Sequence, residues 1–391
     1  MDYKANIWKM YFLSFLANMH FFAGVMIPFF MYWGKISYMQ IMMLQALFIL
    51  SVFILEVPTG AIADRFGRKI SISLGMLGLI AGVLIYASIP NIWVFMVGEV
   101  IWALGCALIS GADEAILYDT LKKMKKERDF KKVLGRYTSF LLLGILVAGP
   151  IGSFIAGTIG LRYSMMLMAV PLFFAFLVAL TLKEPPIVKK ISKENYFKTL
   201  IEGVNYFRKH KILKILAFDK IMVWTIIFLV VWTYQPLLLG LGMKLIYLGF
   251  VVSAMTFFEI VVINSADRLE KIFRGKLRFL RLSAIICAAA YILAGLTSLI
   301  LLSTILVIII AGFGTAREVL LRNYMNKHVE SRTRATVMSA VSMFQCLVQG
   351  IFYIILGLLV AWSLEYTHVV LGVLILIVVL VSRVEEKHLL D

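Results

Sequence analysis

Apolar residues run for twenty or more positions at a time without alternation, broken by short polar stretches, along the whole chain. Roughly 20 apolar residues in a helix cross the hydrocarbon core of a bilayer. Inside lipid only helices or closed barrels pair every backbone polar group. Barrel strands alternate apolar and polar over about ten residues, so these runs predict helices. Twelve spans are predicted, near 9–33, 39–62, 70–89, 92–118, 135–160, 163–182, 213–239, 245–266, 277–297, 299–323, 334–361 and 363–382. The runs 282–316 and 335–381 are too long for one crossing. Gly295, Thr297 and Ser298 mark a turn in the first, and Ser363, Glu365 and Tyr366 one in the second.

The longest interruption, about 183–212, opens at Pro185 and Pro186. It holds an amphipathic segment with Phe197, Leu200, Ile201, Val204 and Phe207 on one face, predicted to lie on the membrane surface. Acids recur at a spacing of about 203 residues. Glu56 precedes Asp64-Arg65 as Glu259 precedes Asp267-Arg268, and Glu114 matches Glu318. The expected organisation is a six-helix bundle over 1–184, a linker over 185–212 and a second, pseudo-symmetric six-helix bundle over 213–391.

Composition agrees with lipid as the solvent. The chain is 62% hydrophobic and 16% charged, with mean hydropathy +0.94; soluble domains are about half apolar and about a quarter charged. A net charge of +17 would suit nucleic acid, but the bases sit in alternate loops, the positive-inside pattern. With the N-terminus inside, the exterior loops carry only Lys35, Arg162 and Lys244 as bases. Both termini are therefore expected in the cytoplasm of a multi-pass plasma-membrane protein. Cys106, Cys287 and Cys346 all fall in spans and read as small apolar residues. The five histidines lack metal-ligand spacing, and no phosphate-binding G-x-x-x-x-G-K-[ST] loop occurs. No metal, cofactor or enzymatic activity is expected.

The loop between the second and third spans reads Gly60-Ala-Ile-Ala-Asp64-Arg65-Phe-Gly67-Arg68-Lys69. It resembles the signature of the major facilitator superfamily, G-x-x-x-D-R-x-G-R-K, and a degenerate copy runs from Asp267 and Arg268 to Lys276. The resemblance extends over twelve spans and a central linker. It implies the major facilitator fold and a gating latch: the acid matching Asp64 contacts the start of the eleventh span, and the arginine matching Arg68 pairs with an acid ending the fourth, here Asp119. Independently of the family, Gly60 suits close helix approach and Gly67 a tight turn; Arg65, Arg68 and Lys69 would also suit anchoring to anionic lipid. Ser110–Asp119 and Arg334–Ser339 resemble a prokaryotic branch near the drug-efflux members. In the fifth span, Ala148-Gly149-Pro150-Ile151-Gly152-Ser153 approaches the G-P-x-x-G-G element of proton-driven antiporters, with the second glycine pair incomplete. Glu99 stands where many members carry an arginine.

Ionisable groups at membrane depth cost about 2.5–3.5 kcal/mol on insertion scales and are functional candidates by default. Glu99, Trp102, Cys106, Ser110 and Asp113 fall on one helical stripe, with Glu114 at its margin. Burial favours the protonated form of a carboxyl group, which suits proton loading and release. Glu56 and Glu259 are expected in paired gates. Arg317 and Glu318 are expected to pair locally, and Lys220 to reach toward the interface. Asn18, Gln345 and Gln349 are candidates for a cavity lining, and His20 for a packed interior position. Trp102, Trp224, Trp232 and Tyr234 would suit an aromatic wall for a cation.

These residues point to an alternating-access secondary transporter, a monomer in membrane lipid. It would couple protons to efflux of a small amphipathic or cationic compound; uptake of a small metabolite is the alternative. A receptor or assembly factor on the same fold would not need ionisable groups in both halves.

Overall fold

A computed structural model describes residues 3–185, 205–330 and 334–389; the side chains of Val57, Asp267 and Ala335 are not described. Most of the predicted amphipathic segment, up to Val204, lies outside the described residues. Among the described residues every regular element is helical. Among the same residues eleven helices are long and apolar enough to cross a membrane, and the apolar stretch Ala23–Trp33 completes a further, broken span.

The spans are α1 (Lys4–Ala17 and Ala23–Trp33), α2 (Tyr38–Phe66), α3 (Arg68–Tyr86), α4 (Ile92–Lys123), α5 (Phe130–Thr158) and α6 (Leu161–Leu180). There follow α7 (Lys211–Gly240), α8 (Leu245–Asn264), α9 (Lys276–Leu296), α10 (Ile300–Lys327), α11 (Arg334–Trp362) and α12 (Leu364–Val381). Both predicted divisions of the long apolar runs hold. Thr297 ends α9, and Ser363 starts α12 by accepting a hydrogen bond from the Tyr366 amide at 3.3 Å. Ser37 and Gln40 start α2 with a reciprocal capping box.

Four interruptions among the described residues are not placed by the apolar pattern. Span α1 loses its helix between Asn18 and Phe22, α4 is broken at Ser110 and Gly111, α6 at Met168 and α7 at Leu229. At the breaks in α1, α6 and α7 the flanking segments stay apolar and the 3.6-residue periodicity carries no mark, whereas the segment after the α4 break is polar. A short helix, Ala266–Ile272, also occupies the α8–α9 connection.

Chain contacts divide into two compact units, residues 1–191 with 244–253 and residues 192–243 with 254–391. In the first, α3 packs on α4 and α6, and α1 on α5 and α6. In the second, α9 packs on α10 and α12, and α7 on α10, α11 and α12. These neighbour relations repeat one another six spans apart. Both units turn on a glycine before their third span: Gly67 at φ +101° and Gly275 at φ +138°. An L side chain rarely adopts that backbone.

Within the first unit α5 meets the start of α8 almost backbone to backbone. Ser153 Oγ donates to the Ile246 carbonyl at 2.8 Å, and Ser253 Oγ to the Leu146 carbonyl at 2.6 Å. A methyl group on Gly24 of α1 would lie 2.7 Å from Gly249 Cα, and one on Gly149 would lie 2.8 Å from Gly249 O. The antiporter-like element of α5 thus serves as a small-residue crossing for three spans.

Candidate functional site

In the first unit the break in α1 sits against α5. Gly152 leaves room for the Phe21 carbonyl and Gly144 for that of Phe15, so the irregular backbone lies directly on the neighbouring helix. Asn18 ends the first helical piece, and its side-chain amide donates to the Ser14 carbonyl at 2.9 Å. His20 packs against Phe22 and Trp102, as a packed interior group would. Discontinuous helices of this kind place substrate and ion sites in transporters.

Beside the break is a cavity of about 70 Å³ lined by Phe22, Gln45, Tyr86, Glu99, Trp102 and Met165, among others. A cavity needs only about 10–15 Å³ of such space to hold one water, so this one takes a few waters or a small cation. Glu99 is 3% exposed. Its carboxylate accepts from Gln45 Nε2 at 3.0 Å and from the Tyr86 hydroxyl. Among the described residues no base pairs with it. A buried carboxylate with neutral donors alone lacks the counter-charge that offsets lost hydration.

The break in α4 separates the predicted stripe. Ser110 is extended and Gly111 has φ +76°, so the 100° register from Glu99 and Trp102 does not reach Asp113. Asp113 opens a second helix and faces α5, accepting from the Tyr137 hydroxyl at 2.8 Å and the Glu114 amide at 2.8 Å. Glu114 is exposed.

The latch residues meet in part. Arg68 and Asp119 form an ion pair, about a fifth and a quarter exposed. Asp64 and Arg65 are exposed, with the Arg65 guanidinium over the Phe66 ring. Gly60 makes no close helix approach: a methyl group there would meet nothing within 4 Å. Arg268 is exposed, and the Asp267 side chain lies outside the described residues.

Sequence reasoning missed Glu184. Just past α6, it accepts from the amides of Arg68 at 3.0 Å and Lys69 at 2.7 Å, closing the start of α3. A carboxylate there also meets the helix dipole favourably. Glu386, just past α12, repeats this by accepting from the Leu277 amide at 3.1 Å in the second unit. The signal was available: Glu386 follows Glu184 by 202 positions, close to the spacing of the other paired acids. Asn6 was missed too; it bonds Thr120 at the end of α4 and both backbone groups of Lys183.

In the second unit Arg317 and Glu318 do not pair with each other. Successive helical residues point about 100° apart, so each takes a partner on α7. Arg317 pairs with Asp219 and donates to the Leu280 carbonyl, while Ser382 Oγ donates to Asp219 at 2.6 Å. Glu318 pairs with Lys220 at 3.3 Å, and Lys220 donates to Gln345 Oε1 at 2.6 Å. Lys220 is 5% exposed and does not reach the interface. Gln349 donates to the Tyr353 hydroxyl at 2.9 Å. Glu259 is half-buried against Thr315, and Glu56 is exposed. The expected aromatic wall divides: Trp102 lines the cavity of the first unit, whereas Trp232 packs on Tyr353 and Trp224 on Phe228 in the second.

Broken spans and buried ionisable groups in both units are features shared with membrane transport proteins. The Major Facilitator Superfamily profile matches residues 7–353, and the chain belongs to that family. It is 25% identical over 249 residues to the uncharacterised MFS-type transporter YxaM of Bacillus subtilis, covering 60% of this chain and 59% of that one. A class C tetracycline resistance protein of Escherichia coli is 28% identical over 127 residues, 32% of this chain and 31% of that one. The chain thus spans less than two thirds of the length of the curated relatives it matches. Among solved structures, a point mutant of the nucleoside transporter NupG superposes with TM-score 0.83 at 13% identity, covering 96% of this chain and 98% of that one. A D-xylose–proton symporter superposes with TM-score 0.75 at 14% identity, covering 99% of each chain. The chain is a multi-pass helical membrane protein of this superfamily.

Proposed function

We propose that this protein is an alternating-access secondary transporter that couples proton movement to efflux of a small amphipathic or cationic compound. Glu99 carries the reading. It is a carboxyl group on a central span, held by neutral donors beside a cavity of water size and next to the broken part of α1. The cavity is too small for a drug-sized compound, which needs about 300–1,000 Å³. Glu99 therefore acts as the proton carrier, and the substrate binds elsewhere. Likeness to the tetracycline resistance protein supports export over uptake.

On this reading the bundles 1–184 and 213–391 rock about the linker 185–212, and Arg68, Asp119 and Asp64 close the cytoplasmic side. Charge asymmetry between the loops supports cytoplasmic termini, and the bacterial relatives support a prokaryotic plasma membrane. The protein works as a monomer. The test is flux of a panel of amphipathic cations, zwitterions and acids in proteoliposomes under an imposed pH gradient. Gradient-driven flux in the native protein, lost in Glu99→Gln while gradient-free exchange persists, is the expected result. Equal gradient coupling in Glu99→Gln would move the proton site elsewhere. Flux that ignores the gradient would remove the coupling itself.

A further inference from the structure

The two ion pairs between α7 and α10 look equivalent in sequence and differ in surroundings. Asp219–Arg317 is deeply buried: both side chains are under 6% exposed, and Ser382 and the Leu280 carbonyl take up further bonding capacity, leaving Arg317 Nε unbonded. Both charges are about equally enclosed, and the cluster ties α7, α9, α10 and the end of α12 together.

Lys220–Glu318 faces the other way, toward α11. Lys220 is nine residues into α7, Glu318 nine residues from the end of α10, and Gln345 eleven residues into α11. At 1.5 Å per residue these depths are all about 14–17 Å, so three helices meet at one level. The partners are unequally buried: the side chain of Lys220 is 5% exposed and that of Glu318 is 16% exposed. Their contact, at 3.3 Å, is longer than the 2.6 Å bond from Lys220 to Gln345.

That inequality sets which partner can leave. A buried ammonium left without an anion is strongly disfavoured, whereas Glu318 is the less enclosed of the two. Whatever replaces Glu318 on Lys220 must bring a negative charge. Trp224 stands one turn along α7 from Lys220 and offers an apolar surface beside it.

We propose that Lys220 is the anion-reading position of a ligand site in the second unit, where a carboxylate on the transported compound displaces Glu318 and Gln345 remains in place. This rests on the transporter reading above and narrows its substrate to an amphipathic compound with an acidic group, zwitterionic where it also carries an amine. Glu318 is then a tethered stand-in for the ligand.

The experiment uses the purified full chain in detergent with benzoate, phenylalanine and benzylamine, probes that share a ring and differ in charge. Tryptophan fluorescence and thermal midpoint are read against concentration. Benzoate and phenylalanine are expected to give saturable responses and benzylamine none. Lys220→Gln is expected to weaken the benzoate response at least tenfold. Glu318→Gln is expected to strengthen it severalfold, because the competitor is gone; this variant keeps the test decisive if Lys220→Gln does not fold. A response to benzylamine alone, no saturable response to benzoate, or weaker benzoate binding in Glu318→Gln overturns the inference. Gradient-driven flux on the same preparation separates the two claims: flux without an anion response sinks the Lys220 site and leaves the transporter reading standing.

Discussion

Gly24→Ala tests the crossing of α1, α5 and α8 through a single methyl group. That carbon would lie 2.7 Å from Gly249 Cα, 2.8 Å from Gly249 N and 3.3 Å from the carbonyl carbon of Leu248. Carbon atoms rest at about 3.5–4.0 Å, so the two backbones must separate by roughly 1 Å. All three obstructing atoms are main chain, and no rotamer change relieves the clash. Overpacking of this kind costs about 1–3 kcal/mol, a factor of about 5–150 in an equilibrium. Under alternating access the penalty falls only on arrangements in which these backbones touch, so the population moves away from them. The assay is the labelling rate of a cysteine at Gly157, whose side chain would reach Ile246 at 3.4 Å, together with the thermal midpoint. Labelling should accelerate at least fivefold and the midpoint fall. Gly350→Ala, with nothing within 4 Å of the added methyl, is the control and should do neither. Unchanged labelling and midpoint in Gly24→Ala would refute the close crossing.

Three further outcomes are expected. Glu184→Ala strips two amides at the start of α3 of their acceptor and should cost about 0.5–2 kcal/mol, as lost caps do, seen as a lower thermal midpoint; Glu184→Gln should cost less, and equal losses would assign the effect to charge alone. Asp219→Asn leaves Arg317 buried beside a neutral partner and should destabilise by about 3–5 kcal/mol, whereas Asp219→Leu with Arg317→Met should recover most of it; a double variant as unstable as the single one would contradict a purely structural pair. His388 lies beyond α12 with its ring accepting from the Glu385 amide at 3.1 Å and its carbonyl bonded to His328. Desolvation holds its pKa below the ordinary 6.5, with Glu385 opposing and Lys387, His328 and Lys211 reinforcing. The freed tail thus takes up a proton that the docked tail refuses. Docking should be full above pH 6.5 and weaken as pH falls below it, measured by hydrogen exchange in residues 383–389. Protection that does not change between pH 7.5 and 5.5 would contradict this.

Span positions and family were legible because lipid imposes one strong rule, and the loop from Gly60 to Lys69 carries backbone and charge requirements in its letters. The Arg68–Asp119 contact followed from the family resemblance, not from periodicity. The breaks in α1, α6 and α7 were hidden, since an unwound turn between apolar flanks keeps the same composition; the α4 break is marked by Gly111 and the acids that follow it. The Asp113 environment was misplaced because a helical projection assumes an unbroken register. The crossed pairing of Asp219-Lys220 with Arg317-Glu318 required knowing that α7 and α10 are neighbours, which hydropathy does not state. Glu184 and Glu386 were visible as an offset but sit after the spans, where attention to membrane depth passes over them.

Those two acids have a bearing on how such a chain arises. Each one fastens the tail of its own six-span segment to the middle of that same segment, so neither closure borrows a residue from the other. A half-length ancestor would have owned the complete fastening before it was copied.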